Sequence, residues 1–163
     1  MIMKRKGLTL IELLVVIAIV GILAAAAMPL SRMTVKRTRE MELRGNLRVL
    51  RNAIDAFRKD CEPTAKKLST DYCKQDQDFY PESLEQLTEP LKLAGAVDRT
   101  KKYLRRIPKD PMTPAEAPDK PNNWGLRAYG DEAGSSQWGG GNVYDVYSKS
   151  SAVALDGSQY TTW

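Results

Sequence analysis

Two patterns of hydrophobic residues divide the first sixty residues of the chain. The first is an apolar run from Leu8 to Leu30, 23 residues long, behind a basic leader that holds Lys4, Arg5 and Lys6. A helix of about 20 apolar residues crosses the hydrocarbon core of a membrane, so we expect residues 8–30 to form a transmembrane helix. One carboxylate, Glu12, interrupts the run. Because an ionisable group inside a membrane span is costly, Glu12 is a candidate functional residue.

The second pattern is amphipathic and extends from Ser31 to about Lys59. Its apolar residues recur at steps of four and three, which places them on one face of a helix: Leu43, Leu47, Leu50, Ile54 and Phe57. No stop signal follows Pro29 before Pro63, so we predict one helix from residue 8 to about residue 60. Its distal half, residues 31–60, should pack on a C-terminal domain. A coiled-coil seam is the alternative, but the pattern lasts only about two heptads.

The rest of the chain predicts a small, loop-rich domain. Residues 61–111 lack a clear period and indicate an irregular connector with one short helix after Pro81. Residues 112–163 are rich in Pro and Gly and predict short strands at 124–129 and 143–148, with a third at 152–155. The predicted fold class is therefore α+β, a long N-terminal helix packed by its distal half on a small antiparallel sheet.

Three commoner kinds of segment share features with this N-terminus. A signal peptide has the same basic start and small residues before its cleavage point, but its apolar region usually spans only about 7–15 residues. An ordinary membrane anchor explains the length and the leader charges but not Glu12. A lipoprotein needs a cysteine at the cleavage point, and none precedes Cys61.

Residues 4–16 strongly resemble the class III leader of type IV pilins and type II secretion pseudopilins. The resemblance implies that a prepilin peptidase cuts between Gly7 and Leu8 and methylates the new amine of Leu8. It also implies that Glu12 pairs with the terminal amine of a neighbouring subunit and so sets the register of a filament. Many family members carry Phe where this chain has Leu8.

Two further positions match the family. Gly21 and Pro29 stand where the helix of assembled family filaments is often stretched. Glycine lowers helix preference and proline removes one helical hydrogen bond, so both weaken the helix between them. The alternative is a tolerated kink in a membrane helix.

A second resemblance, further along the chain, points to one branch of this family. The Tyr-Pro at residues 80–81, the block at residues 103–111 and the strand at residues 142–148 are similar to those of the G-type major pseudopilin of type II secretion. This implies a subunit that polymerises into a periplasmic pseudopilus and drives export of folded proteins through an outer-membrane secretin. The alternative is a type IV pilin of an extracellular fibre for adhesion or motility.

The family also implies partners and a location. The partners would be like subunits, minor pseudopilins, the prepilin peptidase and an inner-membrane assembly platform, with the work done by a separate cytoplasmic ATPase. The chain would cross the inner membrane once and hold its C-terminal domain in the periplasm. A nucleic-acid partner is not expected, because the basic residues between Arg32 and Arg39 fit a solvated helix face better.

Two cysteines are candidates for a disulfide, and an aspartate near the C-terminus is a candidate for a calcium site. In an oxidising compartment Cys61 and Cys73 would form a disulfide, with two free thiols as the alternative. The family often holds calcium in an acidic loop after its last strand, which makes Asp156 a candidate ligand. Calcium prefers six to eight oxygens, however, and only Asp156 follows Asp145 in this tail, so Asp156-Gly157 is also typical of a turn.

Charge and composition argue against catalysis. The net charge is +5, of which three positive charges belong to the leader. The chain has no histidine, no phosphate-binding glycine pattern and no nucleophile motif. We therefore predict a structural protein and not an enzyme, with no cofactor beyond the candidate calcium ion.

Overall fold

A single long helix accounts for most of the regular structure. The computed structural model describes residues 7, 9–95, 98–113 and 124–163, without the side chains of residues 26–31. Helix α1 runs from Leu10 to Cys61. Small antiparallel sheets follow it. The predicted α+β, pilin-like fold is therefore confirmed.

Helix α1 contributes to two compact units, the first ending at Thr38 and the second spanning Arg39–Trp163. In the first unit the large apolar side chains of residues 10–23 are exposed, by 50% to 77% of their surface. In the part of the chain that the structure describes, no helix combines the length and the apolar character needed to cross a membrane.

The core of the second unit is built on one face of α1. The five apolar residues predicted to share that face are at most 3% exposed: Leu43, Leu47, Leu50, Ile54 and Phe57. Side chains from the connector and the C-terminal segment complete the same cluster, among them Leu87, Leu91, Val143, Val146 and Tyr160. The hydrophobic effect thus holds the distal helix and the small domain together as one unit.

Two short sheets lie around this core. Strands β1 (Leu91–Lys92) and β2 (Thr100–Lys101) pair antiparallel within the connector, where no strand was predicted. Strands β3 (Trp124–Arg127) and β4 (Asp145–Ser148) also pair antiparallel. They fall inside the strands predicted at 124–129 and 143–148.

Glycine is required at one position of the second sheet. Gly125 is paired with Tyr147, whose ring lies so close that a Cβ at residue 125 would be 2.2 Å from it. A larger residue would therefore displace the tyrosine ring from the strand.

The other predicted elements are shorter than expected. The helix expected after Pro81 is a 3₁₀ helix at Glu85–Thr88. In place of a third strand at 152–155 there is an isolated bridge between Val153 and Gln159. Two more 3₁₀ turns lie at Gln75–Gln77 and Tyr160–Thr162.

Candidate processing and assembly site

The predicted cleavage point lies just before α1. Gly7 is exposed and has no regular structure, as a peptide bond open to a protease requires. Leu8, the predicted methylation site, and leader residues 1–6 lie outside the described residues. Cleavage between Gly7 and Leu8 stays a prediction.

Helix α1 begins with a side-chain cap that sequence reasoning missed. The Glu12 backbone N–H donates to Thr9 Oγ1 at 3.3 Å, and the Leu13 N–H donates to the Thr9 carbonyl at 3.2 Å. Thr9 is therefore the N-cap residue, and Glu12 lies three residues later. Thr-x-x-Glu is the capping-box pattern, so this signal was available in the sequence.

The capping position gives Glu12 a second physical role. A carboxylate in the first turn of a helix is stabilised by the partial positive charge of the unpaired N–H groups there. Glu12 is exposed, and the described residues place no cation within salt-bridge distance of its carboxylate. The side chain is therefore accessible to a positive group from outside the described part of its own chain.

The surface around Glu12 is apolar on every side. All the large apolar residues between Leu10 and Leu23 are exposed, and a helix that is apolar all round is one that is buried in lipid or among other helices. Gly21 lies within this stretch, and a Cβ added there would meet no atom within 4 Å. Pro29 falls within the bounds of α1, but its side chain lies outside the described residues.

The block at residues 103–111 is a structural junction. The Tyr103 hydroxyl donates to Asp60 Oδ2 at 2.8 Å, and the Trp124 Nε1–H donates to the Pro108 carbonyl at 2.8 Å. Burial, followed by the hydrogen bond to Asp60, raises the pKa of Tyr103. These bonds tie the block to the end of α1 and to β3.

Asp110 is the central residue of this junction. It is 6% exposed and accepts hydrogen bonds from the Met112 backbone N–H, the Thr113 hydroxyl and the buried Ser148 hydroxyl, at 2.8, 2.7 and 2.6 Å. A buried carboxylate is stable only with such partners. Asp110 therefore fixes the turn at residues 110–113 and fastens it to the end of β4.

Asp156, the candidate calcium ligand, is already bonded. Its Oδ1 accepts hydrogen bonds from the backbone and hydroxyl of Ser158, and its Oδ2 pairs with Arg44 at 3.1 Å. Hydrogen bonds from Ser158, and then the charge of Arg44, lower the pKa of Asp156. Asp145 pairs instead with Arg51 and Arg127.

Among the described residues, no group of three or more acidic, histidine or cysteine side chains is placed so that it could hold a metal ion. Calcium binding at Asp156 stays a prediction with no further support from this geometry.

The two cysteines meet at the end of α1. Cys61, the last residue of the helix, forms a disulfide with Cys73. The bond closes a loop of polar residues and keeps the connector beside the helix end. Closing a loop of this length contributes about 3 kcal/mol in the chain-entropy model.

Comparisons with known proteins agree on the N-terminus. Residues 2–28 match the family model described as a prokaryotic N-terminal methylation motif. The chain is 44% identical over 52 residues to the type IV major alpha-pilin of Moraxella bovis, which is 32% of this chain and 33% of that protein. The fimbrial protein Q of Moraxella bovis gives the same identity and coverage.

A third relative comes from another organism. The type IV major pilin protein PilA of Myxococcus xanthus strain DK1622 is 43% identical over 54 residues, 33% of this chain and 24% of that protein. The match thus spans a third or less of each of these relatives. None of their names describes an enzyme, which agrees with the predicted absence of catalysis. No solved structure matches the chain.

These matches cover the segment that holds the candidate site. Thr9, Glu12 and Gly21 all lie within the residues that the family model matches. Over about a third of its length this chain is homologous to type IV pilins, and its first residues carry the N-methylation motif of type IV pilin-like proteins.

Proposed function

We propose that the chain is a membrane-anchored filament subunit that polymerises through its N-terminal helix. One observation carries the proposal: the methylation motif at residues 2–28 leads into a helix whose large apolar side chains are exposed in the single chain. Lipid would cover this surface before assembly and neighbouring helices would cover it afterwards. Residues 8–30 are the proposed membrane span.

Processing would prepare the segment for assembly. A prepilin peptidase would cut between Gly7 and Leu8 and methylate Leu8, leaving a terminal amine close to the capped start of α1. In the filament, the Glu12 carboxylate would form an ion pair with the terminal amine of a neighbouring subunit. A charge pair in a low-dielectric setting is favourable only when both partners are present, so the pair would select one register.

More specifically, the chain would be a subunit of the periplasmic pseudopilus of a type II secretion system. The support is the resemblance of residues 80–81, 103–111 and 142–148 to the G-type pseudopilin. Minor pseudopilins and an inner-membrane assembly platform would then be its partners, with its C-terminal domain in the periplasm. A disulfide between Cys61 and Cys73 fits that oxidising compartment.

The second candidate is a type IV pilin of an extracellular fibre. The observation in its favour is that the matched relatives bear the names of pilins and a fimbrial protein. The motif and the exposed helix support both candidates equally.

The mass of the mature N-terminal peptide tests the filament-subunit proposal. We expect a chain that begins at Leu8 and carries one added methyl group. A mature chain that begins near Met28 would indicate a signal peptide and contradict the proposal. A Gly7→Arg variant should accumulate as the uncut precursor in the membrane fraction. Gly134→Arg is the control, because it adds the same charge at an exposed glycine outside the proposed span.

Deletion of the gene separates the two candidates. We expect loss of exported proteins from the culture medium with surface pili retained, and recovery with the intact chain. Loss of pili with normal export would favour the type IV pilin instead.

A further inference from the structure

A groove lined by three arginines, here called the arginine groove, lies on the distal part of α1. It has a volume of about 410 Å³ and lies within the second unit. Six residues line it: Arg44, Leu47, Arg48, Arg51, Asn52 and Trp163. The three arginines follow steps of four and three along the helix, so their guanidinium groups point to the same side.

Two of these arginines are held in place by the protein. Arg44 pairs with Asp156, and its Cζ lies 4.1 Å from the centroid of the Trp163 ring. Arg51 donates to Asp145 at 2.7 Å and also to the main-chain oxygen of Trp163, the last residue of the sequence. These contacts give the walls of the groove a fixed geometry.

Arg48 is different, because it is exposed and the described residues offer it no carboxylate within salt-bridge distance. Asp145 is shared with a further arginine, Arg127. Arg44 and Arg51 are thus paired with Asp156 and Asp145, and Arg48 is the one groove arginine that has no salt bridge among the described residues. A planar carboxylate is the partner that a guanidinium fork matches best.

Two exposed carboxylates lie at another place on the second unit. Asp76 and Asp78, here called the acidic turn, lie in and just after the 3₁₀ helix Gln75–Gln77. Both are exposed, and no salt bridge reaches either of them in the described part of the chain. The disulfide at Cys73 and the Lys74–Glu82 ion pair anchor the segment from which they project.

Within one chain the groove and the acidic turn are far apart along the helix. Arg48 lies 13 residues before Cys61, the helix end to which the disulfide fastens the connector, a separation of about 20 Å at 1.5 Å per residue. Two copies shifted along the helix axis would bring them together. A contact between two different surfaces of the same protein is heterologous and continues into an open filament when the rotation does not close.

We propose that the arginine groove of one copy binds the acidic turn of the next copy, with Arg48 as the free cation that meets Asp76 or Asp78. The inference rests on the proposed function, since it names surfaces through which the C-terminal domains of a filament contact each other. The exposed helix would supply cohesion, and the charged contact would reinforce the axial offset that the Glu12 pair selects.

Charge reversal and reciprocal rescue in the full chain test this contact. The measurement is the fraction of processed subunit that sediments as large assemblies after membrane solubilisation, compared among cells that make equal amounts of each variant. We expect Arg48→Glu, and separately Asp76→Arg with Asp78→Arg, to lower this fraction about tenfold, because like charges would meet across the interface. The triple variant should recover to within about twofold of the parent, since the pair is restored with its signs exchanged.

Two further variants serve as controls. Arg48→Gln removes the charge without reversing it and should give an intermediate loss. Arg105→Glu makes the same charge change at an exposed arginine outside the groove and should assemble as the parent does. Each variant must retain the oxidised Cys61–Cys73 disulfide, which a non-reducing gel reports.

The outcomes separate the two proposals. Normal assembly of Arg48→Glu, or a triple variant no better than the single reversals, overturns the contact while leaving the filament proposal intact. Loss with Arg48→Glu but not with the aspartate reversals would mean that the groove holds another anion, and it also overturns the contact. Failure of the parent chain to assemble in the same cells contradicts the filament proposal and the contact together.

Discussion

At the scale of single residues, three carboxylates differ in their surroundings. Glu12 is exposed at the start of an apolar helix, Asp110 is buried with three donors, and Asp156 is neutralised at the surface. Only the first of the three lacks a salt-bridge or side-chain partner among the described residues. Surroundings, more than residue type, thus decide which carboxylate is available to a neighbouring subunit.

Replacing Glu12 by Gln should separate helix capping from charge. Glutamine also suits the N3 position of a capping box, so the start of α1 should be preserved. The negative charge is lost, and we expect normal processing with an assembled fraction reduced about tenfold or more, as for the loss of a buried ion-pair partner. The assembled fraction is measured by sedimentation of the processed subunits.

The matched control for this change is Thr9→Ala, which removes the capping oxygen at a cost of about 1 kcal/mol and keeps the carboxylate. We expect it to assemble nearly as well as the parent chain. Full assembly of Glu12→Gln would show that the carboxylate has no role in subunit pairing.

Replacing Asp110 by Ala should destabilise the C-terminal domain. Its three donors would be left without their acceptor, and the Ser148 hydroxyl is completely buried. We expect a loss of about 2–4 kcal/mol in the free energy of unfolding, measured on the purified full chain in detergent. Asp76→Ala, at an exposed position, should change the stability by less than about 0.5 kcal/mol. Equal unfolding transitions of the two variants would refute this role for Asp110.

At the scale of elements, the two faces of α1 beyond Thr38 differ in what they contribute. Ile54 is completely buried, whereas Val49 is 51% exposed on another side of the same helix. Isoleucine and valine are both β-branched and have similarly low helix propensity. Any difference between them therefore measures packing.

We expect Ile54→Ala to cost about 2–5 kcal/mol of stability through lost burial and the cavity left behind. Val49→Ala should lie within about 0.5 kcal/mol of the parent. Thermal or urea unfolding of the detergent-purified chain compares them. A similar loss for both would mean that the predicted face does not form the core.

The elements also show what the sequence could and could not predict. The long helix and its buried face follow from a period of 3.6, which extends over many residues, and β3 and β4 from short segments set off by Pro- and Gly-rich loops. Strands β1 and β2 have two residues each, too few for any period to be visible. Their pairing depends on contacts that only the folded connector brings together.

The candidate site was predictable to a similar extent. Gly7 and Glu12 were found from a linear motif, which needs no tertiary contacts to be visible. The arginine groove needed Trp163 to lie beside Arg44, residues far apart in the sequence, and the role of Asp110 needed Ser148. A local sequence pattern cannot predict contacts between residues so far apart in the chain.

At the scale of the whole molecule, contacts between α1 and the last residues close the second unit. The Tyr160 hydroxyl donates to Glu40 Oε1 at 2.8 Å, and the Leu155 N–H donates to the same oxygen. Burial, followed by the bond to Glu40, raises the pKa of Tyr160 to about 12. The free energy of unfolding should therefore fall as the pH rises through the alkaline range.

The direction of this dependence follows from linkage. An unfolded tyrosine loses its proton near pH 10, whereas Tyr160 in the folded chain keeps its proton up to about pH 12. Its contribution is complete below pH about 10 and is lost as the pH rises through about 12. Thermal unfolding between pH 8 and 12 should show this decline.

Tyr160→Phe is the matched variant, because it removes the ionisation and keeps the ring. It should be less stable at pH 8, where the bond to Glu40 is lost, but its stability should fall less steeply with rising pH. Tyr80 and Tyr103, whose pKa values are also raised, keep part of the slope in both chains. Parallel curves for the two chains would exclude a contribution from Tyr160.

The disulfide adds a second covalent connection between the end of α1 and the connector, in parallel with the backbone of residues 62–72. Residues 62–72 form a closed ring with Cys61 and Cys73, so a protease that cuts once inside this ring leaves every residue of the oxidised chain still covalently attached. A nicked subunit would run as one species without reductant and as two fragments with it. Tension along α1 would then pass to the C-terminal domain through the disulfide, and the proposed filament could tolerate a cut at an exposed residue of this ring, such as Thr64 or Thr70, without losing its subunits.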